Sequence, residues 1–243
     1  MNVLTRLATA GFIFSIPVFL VTANVRFAAG DAWFYEQGFR RYDADQATGV
    51  SFPDLDRAAE DLIRYFEDDR SSLRTQVTID GQETALFSEE ETSHMRDVKG
   101  LMRAVFRLNE VSLAIILAYI GGAVLWTRER TPRQLAAYSL AGVGAGLAAI
   151  GAIGAFAVTG FDSAWTRFHE IAFSNDLWLL DPDTDHLIQM FPEPFWQDMT
   201  YLVGGLTVVE ALAVVSLSVS YLVFGRARDG APETARARSG AGD

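Results

Sequence analysis

The chain has 243 residues, a formal net charge of −11, no cysteine and half of its residues apolar, with a mean hydropathy of +0.15. That combination is too apolar for an ordinary acidic soluble domain and too polar for a chain wholly in membrane, so apolar spans and charged loops must be segregated. The missing cysteine excludes disulfides, a thiolate zinc site, a thiol nucleophile and a lipid anchor on a cysteine of its own, while the acidic balance argues against nucleic acid as a partner.

From the amino terminus, about Leu7 to Asn24 is the first stretch able to cross a hydrocarbon core, which takes roughly 20 apolar residues. A short basic start also fits a signal peptide, but Phe27-Ala28-Ala29-Gly30 is a poor cleavage site, so the stretch reads as a retained anchor. The loop that follows, about Arg26–Glu110, is too long and too patterned to be a bare connection. Phe52-Pro53 with Leu55, Ala58, Ala59, Leu62, Ile63 and Phe66 predicts an amphipathic helix. Val77, Ile79, an Asp80-Gly81 turn, Thr84 and Leu86 predict a two-stranded hairpin. Ser88-Glu89-Glu90-Glu91 reads as a capping box, with Glu91 three residues after the cap. The helix it opens carries His94 and Asp97 and is expected to run without a break into a second span, about Val111–Thr127.

A third span, about Leu135–Phe161, holds Gly142 and Gly146 four apart, a spacing that lets helices approach closely. The second acidic loop, about Asp162–Thr200, opens with a short helix expected to be capped by Asp162 or Ser163 and carrying His169. Asn175, Asp176, Trp178 and Asp181 follow; the Asp181, Asp183, Asp185 run lacks the glycine and glutamate of a calcium loop and reads as a polar turn. Trp165, Trp178 and Trp196 suit a membrane interface. The fourth span, about Tyr201–Phe224, buries Glu210 roughly 14 Å down at helical rise. A carboxyl there is costly and faces other helices or a wet cavity; Arg26 is a possible counter-charge. Residues 226–243 read as a disordered tail.

Arginines orient the chain. Arg128, Arg130 and Arg133 between spans two and three, and Arg226, Arg228, Arg236 and Arg238 after span four, belong in the cytoplasm. The expected architecture is a mainly α membrane protein whose residues 1–225 form one domain. It has four transmembrane helices, both termini inside, and a small α+β extracytoplasmic cap built from the two outer loops.

All three histidines fall in those loops. At i, i+3 on one helix, Asp97 is placed to fix the His94 imidazole, and His169 lies near the same membrane surface. His186, in a turn-rich acidic stretch, reads as structural. Each histidine also has a bland reading as a solvated or packed side chain. No two histidines stand at i, i+3 or i, i+4, so a metal site would need distant segments to converge. No Gly-x-Ser-x-Gly elbow and no phosphate-binding glycine loop occurs.

The stretch from Leu86 through His94, Asp97 and Lys99 to Leu101 resembles one signature of a bacterial four-span integral-membrane family. Phe168-His169-Glu170, on through Asn175, Asp176, Trp178 and Asp181-Pro182 to Phe191-Pro192-Glu193, resembles the other. The family includes the lipoprotein intramolecular transacylase. The resemblance implies transfer of the sn-2 acyl chain of a diacylglyceryl lipoprotein to the α-amino group of its terminal cysteine. Its two histidines correspond to His94 and His169, with Glu91, Asp97, Asn175, Asp176, Trp178 and Asp181 as supporting positions and no cofactor. It assigns Glu210 no role. Membrane lipid is the further partner expected. A non-catalytic outer-face protein that binds lipid or a partner, and a metal-dependent membrane hydrolase, are the rival readings.

Overall fold

A computed structural model describes residues 3–79, 81–126 and 132–229. Four long apolar helices carry the architecture. Helix α1 (Val3–Gly30) is followed, after the single residue Asp31, by α2 (Ala32–Arg41), which the Asp31 side chain caps by accepting from the Trp33 backbone N–H at 3.0 Å. A short α3 (Ala44–Thr48) and the amphipathic α4 (Phe52–Glu67) follow. Strands β1 (Gln76–Ile79) and β2 (Gln82–Ala85) pair antiparallel, Val77 opposite Thr84. The hairpin is the expected one. Gly81 takes a φ of 79°, as a tight turn requires; Asp80 lies outside the described residues.

Helix α5 (Glu89–Trp126) then runs 38 residues from the cap into the bundle without interruption. Its capping box is reciprocal: the Ser88 N–H donates to Glu91 Oε2 at 2.6 Å, and the Glu91 N–H to Ser88 Oγ at 3.1 Å. Helix α6 (Pro132–Thr159) returns and hands over to α7 (Phe161–Ala172) through Gly160. Gly160, not Asp162 or Ser163, is the N-cap. Its carbonyl accepts from Ala164 and no side chain caps the helix, because the one-residue connection starts α7 before either polar side chain is reached. A single turn, α8 (His186–Met190), precedes the last helix, α9 (Glu193–Asp229). Nothing before Gly230-Ala231-Pro232 stops α9, so positions 226–229, expected in a disordered tail, are helical. The rest of that tail, and Arg128 and Arg130 of the basic hinge, lie outside the described residues.

In the bundle, α1 packs against α5, α6 and α9, and α6 against α9. The paired glycines explain the close α1–α6 approach. A Cβ on Gly142 would stand 2.5 Å from the Ile13 carbonyl oxygen, and one on Gly146 2.6 Å from Pro17 Cβ. Polar side chains tie the helices together. Thr9 meets the Tyr119 hydroxyl at 2.9 Å, and Asn109 donates to Thr22 at 3.1 Å. Asn24 donates to Thr207 at 3.2 Å and to Glu210 at 2.8 Å. The carboxyl of Glu210 is thus held by a neighbouring helix. Arg26 is not its counter-charge: two residues past Asn24 it points about 200° around the helix. There it pairs with Glu110 at 2.9 Å and lies over Phe106.

The segments between the spans, with the ends of α5 and α9 that enter them, form a cap around one core. Phe39, Leu55, Ala59, Tyr65 and Leu86 are inaccessible at its centre. Buried Lys99 draws the 68–71 segment onto α5, donating to the Arg70 carbonyl at 2.6 Å and to Asp68 at 3.2 Å, with its ammonium over the Tyr65 ring.

Candidate active site

His94 comes from the second turn of α5 and His169 from the last turn of α7, 75 residues apart in sequence. Their ring centroids are 6.2 Å apart. Both are buried, at 6% and 8% exposure, against one wall of a cavity of about 660 Å³. Aromatic rings enclose them. Phe173 stands edge-on to His94 at 5.2 Å, Trp178 stacks on His169 at 4.9 Å, and Trp165 meets His169 edge-on at 4.6 Å. Most of the remaining lining is apolar, from Val25 and Ala28 of α1 through Val98, Met102 and Val105 of α5 to Met199 and Val203 of α9. A cavity with an apolar body and a few convergent polar groups suits an acyl chain bearing one reacting end.

The two imidazoles have different surroundings. His169 Nδ1 lies 2.9 Å from the Trp165 carbonyl oxygen one turn back. A carbonyl only accepts, so in the neutral ring Nδ1 carries the hydrogen and Nε2 keeps a free lone pair. His94 Nδ1 is buried with no hydrogen-bond partner among the described residues. Burial pushes the His94 imidazole down to about 4; the neighbouring His169 adds to the fall and Asp97 opposes it. Burial also lowers His169, against the bond to Trp165. Both rings are therefore neutral at pH 7.

The supporting positions divide. Asp97 does not hydrogen-bond His94; three residues on, its carboxylate is rotated about 60° away and accepts from the Asn175 amide at 2.9 Å. Its effect on His94 is through charge alone, and the Asp97–Asn175 bond instead moors the segment that carries Phe173 and Trp178. Glu91, 1% exposed, joins the two loops: besides capping α5, its Oε1 accepts from the Leu187 N–H at 2.6 Å. Asp176 is exposed, and its carbonyl closes a turn with Leu179. Asp181 caps its own turn, accepting from Asp183 at 2.9 Å while its N–H donates to Asp185 at 2.7 Å. His186 opens α8 outside the cavity. Trp165, Trp178 and Trp196 all line the cavity, with Trp165 stacked on Trp196 at 5.0 Å. Among the described residues no three His, Asp or Glu side chains converge as metal ligands.

Sequence reasoning missed Phe173 as the wall of His94, and Asp162 and Glu193 as charged residues of the lining. No residue type signals the bond that fixes the His169 tautomer, because its acceptor is a backbone carbonyl.

Residues 10–196 match the family model described as lipoprotein intramolecular transacylase Lit. The chain belongs to that family. Its members act on lipoproteins by intramolecular acyl transfer, as the description states. Among solved structures, the lipoprotein intramolecular transacylase Lit from Bacillus cereus superposes with a TM-score of 0.76 at 20% identity, covering 94% of this chain and 100% of that one. The same protein with one histidine replaced by arginine gives 0.70 at 19% identity, over 92% of this chain and 94% of the other. With alanine there it gives 0.71 at 18% identity, over 92% and 95%. That is a likeness of fold. No curated protein matches the sequence. A multi-pass membrane transacylase of the Lit family is therefore the frame for the chemistry.

Proposed function

We propose that this transacylase moves the sn-2 O-acyl chain of a diacylglyceryl lipoprotein to the free α-amino group of its terminal cysteine, with His94 and His169 as catalytic residues. The observation that carries the reading is their convergence, from two distant loops, on the wall of one apolar cavity.

The chemistry divides between them. The amine attacks the ester carbonyl, a nitrogen–carbon bond forms, and the carbonyl oxygen becomes an oxyanion. His169 Nε2, whose lone pair is free, takes one proton from the amine. As the carbon–oxygen bond to glycerol breaks, the imidazolium returns that proton to the glycerol oxygen. His94, held neutral by burial, offers an N–H to the oxyanion. Amide and lyso-alcohol are the products, and the protein ends as it began. Amine and ester arrive on one molecule, so proximity supplies much of the rate and no enzyme nucleophile is required. Arginine placement favours the cap, and with it the cavity, on the extracytoplasmic face.

The test is expression in a bacterium that lacks its own lipoprotein N-acylation, with mass spectrometry of a reporter lipoprotein. An N-acylated lyso terminus is expected, and an unchanged diacyl form overturns the assignment. His94→Ala and His169→Ala should each lower the transfer rate by about 10²–10⁴-fold while the protein stays folded. Full activity in both variants would remove the two histidines from the reaction.

A further inference from the structure

The cavity ends at one level on three helices. Val25 of α1, Val105 of α5 and Val203 of α9 line it, whereas Thr22, Asn24, Asn109 and Thr207, next to them on the bundle side, do not. These four polar side chains are buried and tied across the helices. Asn109, one turn after Val105, donates to Thr22 at 3.1 Å and to the Phe19 carbonyl at 3.3 Å. Thr207, one turn after Val203, accepts from Asn24 at 3.2 Å, while its own hydroxyl donates to the Val203 carbonyl at 2.7 Å. Glu210 holds Asn24 from the bundle side, accepting at 2.8 Å. Beyond Thr207 lies a separate void of about 10 Å³, bounded by Pro17, Leu20 and Gly146 among others. A polar layer thus divides the apolar cavity from the rest of the bundle.

We propose that this layer is the floor of an acyl-chain site and sets the length of the chain that the protein transfers best. The inference rests on the transacylase reading. With the ester at the histidines, the chain runs from the cap toward the floor. From His94 to Val105 is about 16 Å along α5, the length of an extended chain of roughly a dozen carbons. The hydrophobic effect does not choose among chains here, because lipid tails are as apolar as the cavity. Selection is by fit. A chain that reaches the floor cannot pass it without breaking the Asn24–Thr207 or Asn109–Thr22 bond, and polar groups left unpaired at membrane depth are costly. A longer chain therefore lifts its ester from the histidines, and a displacement of about 1 Å is enough to slow a reaction about 10²-fold. Val203 and Thr207 determine specificity without touching the reacting atoms, and Glu210 positions the floor through Asn24.

The experiment uses the full-length protein in lipid nanodiscs and synthetic diacylglyceryl lipopeptides that share one sn-1 chain. Their sn-2 chains range from well short of the cavity depth to well beyond it, and mass spectrometry follows the transfer of each in a single competition. The wild type is expected to show an optimum, with the longest chains slower by about tenfold or more. Val203→Phe raises the floor and should move the optimum shorter by about three carbons, the depth that a phenyl ring takes up. Thr207→Ala opens the floor toward the void beyond it and should move the optimum longer. A merely structural loss would slow all chains alike and leave the optimum in place. A flat wild-type profile, or an optimum that stays put in either variant, overturns the proposal and leaves the transacylase reading standing. No transfer at any chain length overturns that reading, and the floor with it.

Discussion

In the cap, nineteen buried residues from α2, α3, α4, the hairpin, α5, α8 and α9 and their connections pack as one core. Among the described residues, the bundle's core cluster is five buried residues: Phe12, Ile16, Tyr119, Val143 and Ala211. The cap is stabilised by removing apolar surface from water, a force that scales with area. Between membrane helices that force is absent, because lipid tails are as apolar as leucine. The bundle instead relies on the backbone approach at Gly142 and Gly146 and on hydrogen bonds from Asn24, Asn109 and Thr9. The histidines sit where the two regimes meet. Each is fixed by the cap's packing, and the cavity they share reaches down to Val25 and Val203 of the bundle.

That contrast can be broken from either side. The largest effect belongs to the cap: Phe39, inaccessible at the core centre, should cost about 3–5 kcal/mol when replaced by alanine. Limited proteolysis should then cut the loops of the cap while the α1–α6 contact, followed by a cross-link, persists. Acid should make the same distinction. The folded-state value of His94 lies near 4, below its ordinary value, so its neutral form is favoured by folding. This contribution is complete above the unfolded value near 6.5 and is lost as pH falls toward 4. Cap melting, followed by tryptophan fluorescence, should weaken across that window while the bundle's helical signal holds. If transfer uses neutral imidazoles as proposed, its pH profile should not show an acid limb at 6.5 arising from His94.

Smaller effects are expected in the bundle. Gly142→Ala drives a methyl against the Ile13 carbonyl and should cost about 1–3 kcal/mol, read as a lower Tm in detergent with the cap's proteolytic pattern unchanged. Asn24→Leu removes the donor to Thr207 and Glu210 and should cost about 1 kcal/mol. If Asn24→Leu proves more damaging than Gly142→Ala, polar bonds and not close packing dominate the bundle.

Much of this was legible one segment at a time, because the signals are local. The i, i+3, i+4 run from Leu55 to Phe66 could bury its face only as a helix. Ser88 and Glu91 carry their own reciprocal bonds, and Gly142-x-x-x-Gly146 marks a close contact whatever the partner. Helices α2 and α3 were not legible. Their signals are short, and α2 is held from outside, by Phe195 of α9 against Gly38. The site was half legible: the two histidines were marked, but not the atoms that control them. Asp97 turned to Asn175, and the tautomer of His169 was set by a backbone carbonyl, which no residue type announces.

The sequence by itself determined that an acidic chain without cysteine must divide into apolar spans and charged loops, since hydropathy and charge are properties of segments. It also determined that any cysteine in the reaction belongs to the substrate. Only the tertiary structure decided which side chains meet: His94 with His169, and Arg26 with Glu110 instead of Glu210. The reason is that contact between residues far apart in the chain depends on how the helices rotate and cross, and that angle is set by the packing of all of them together.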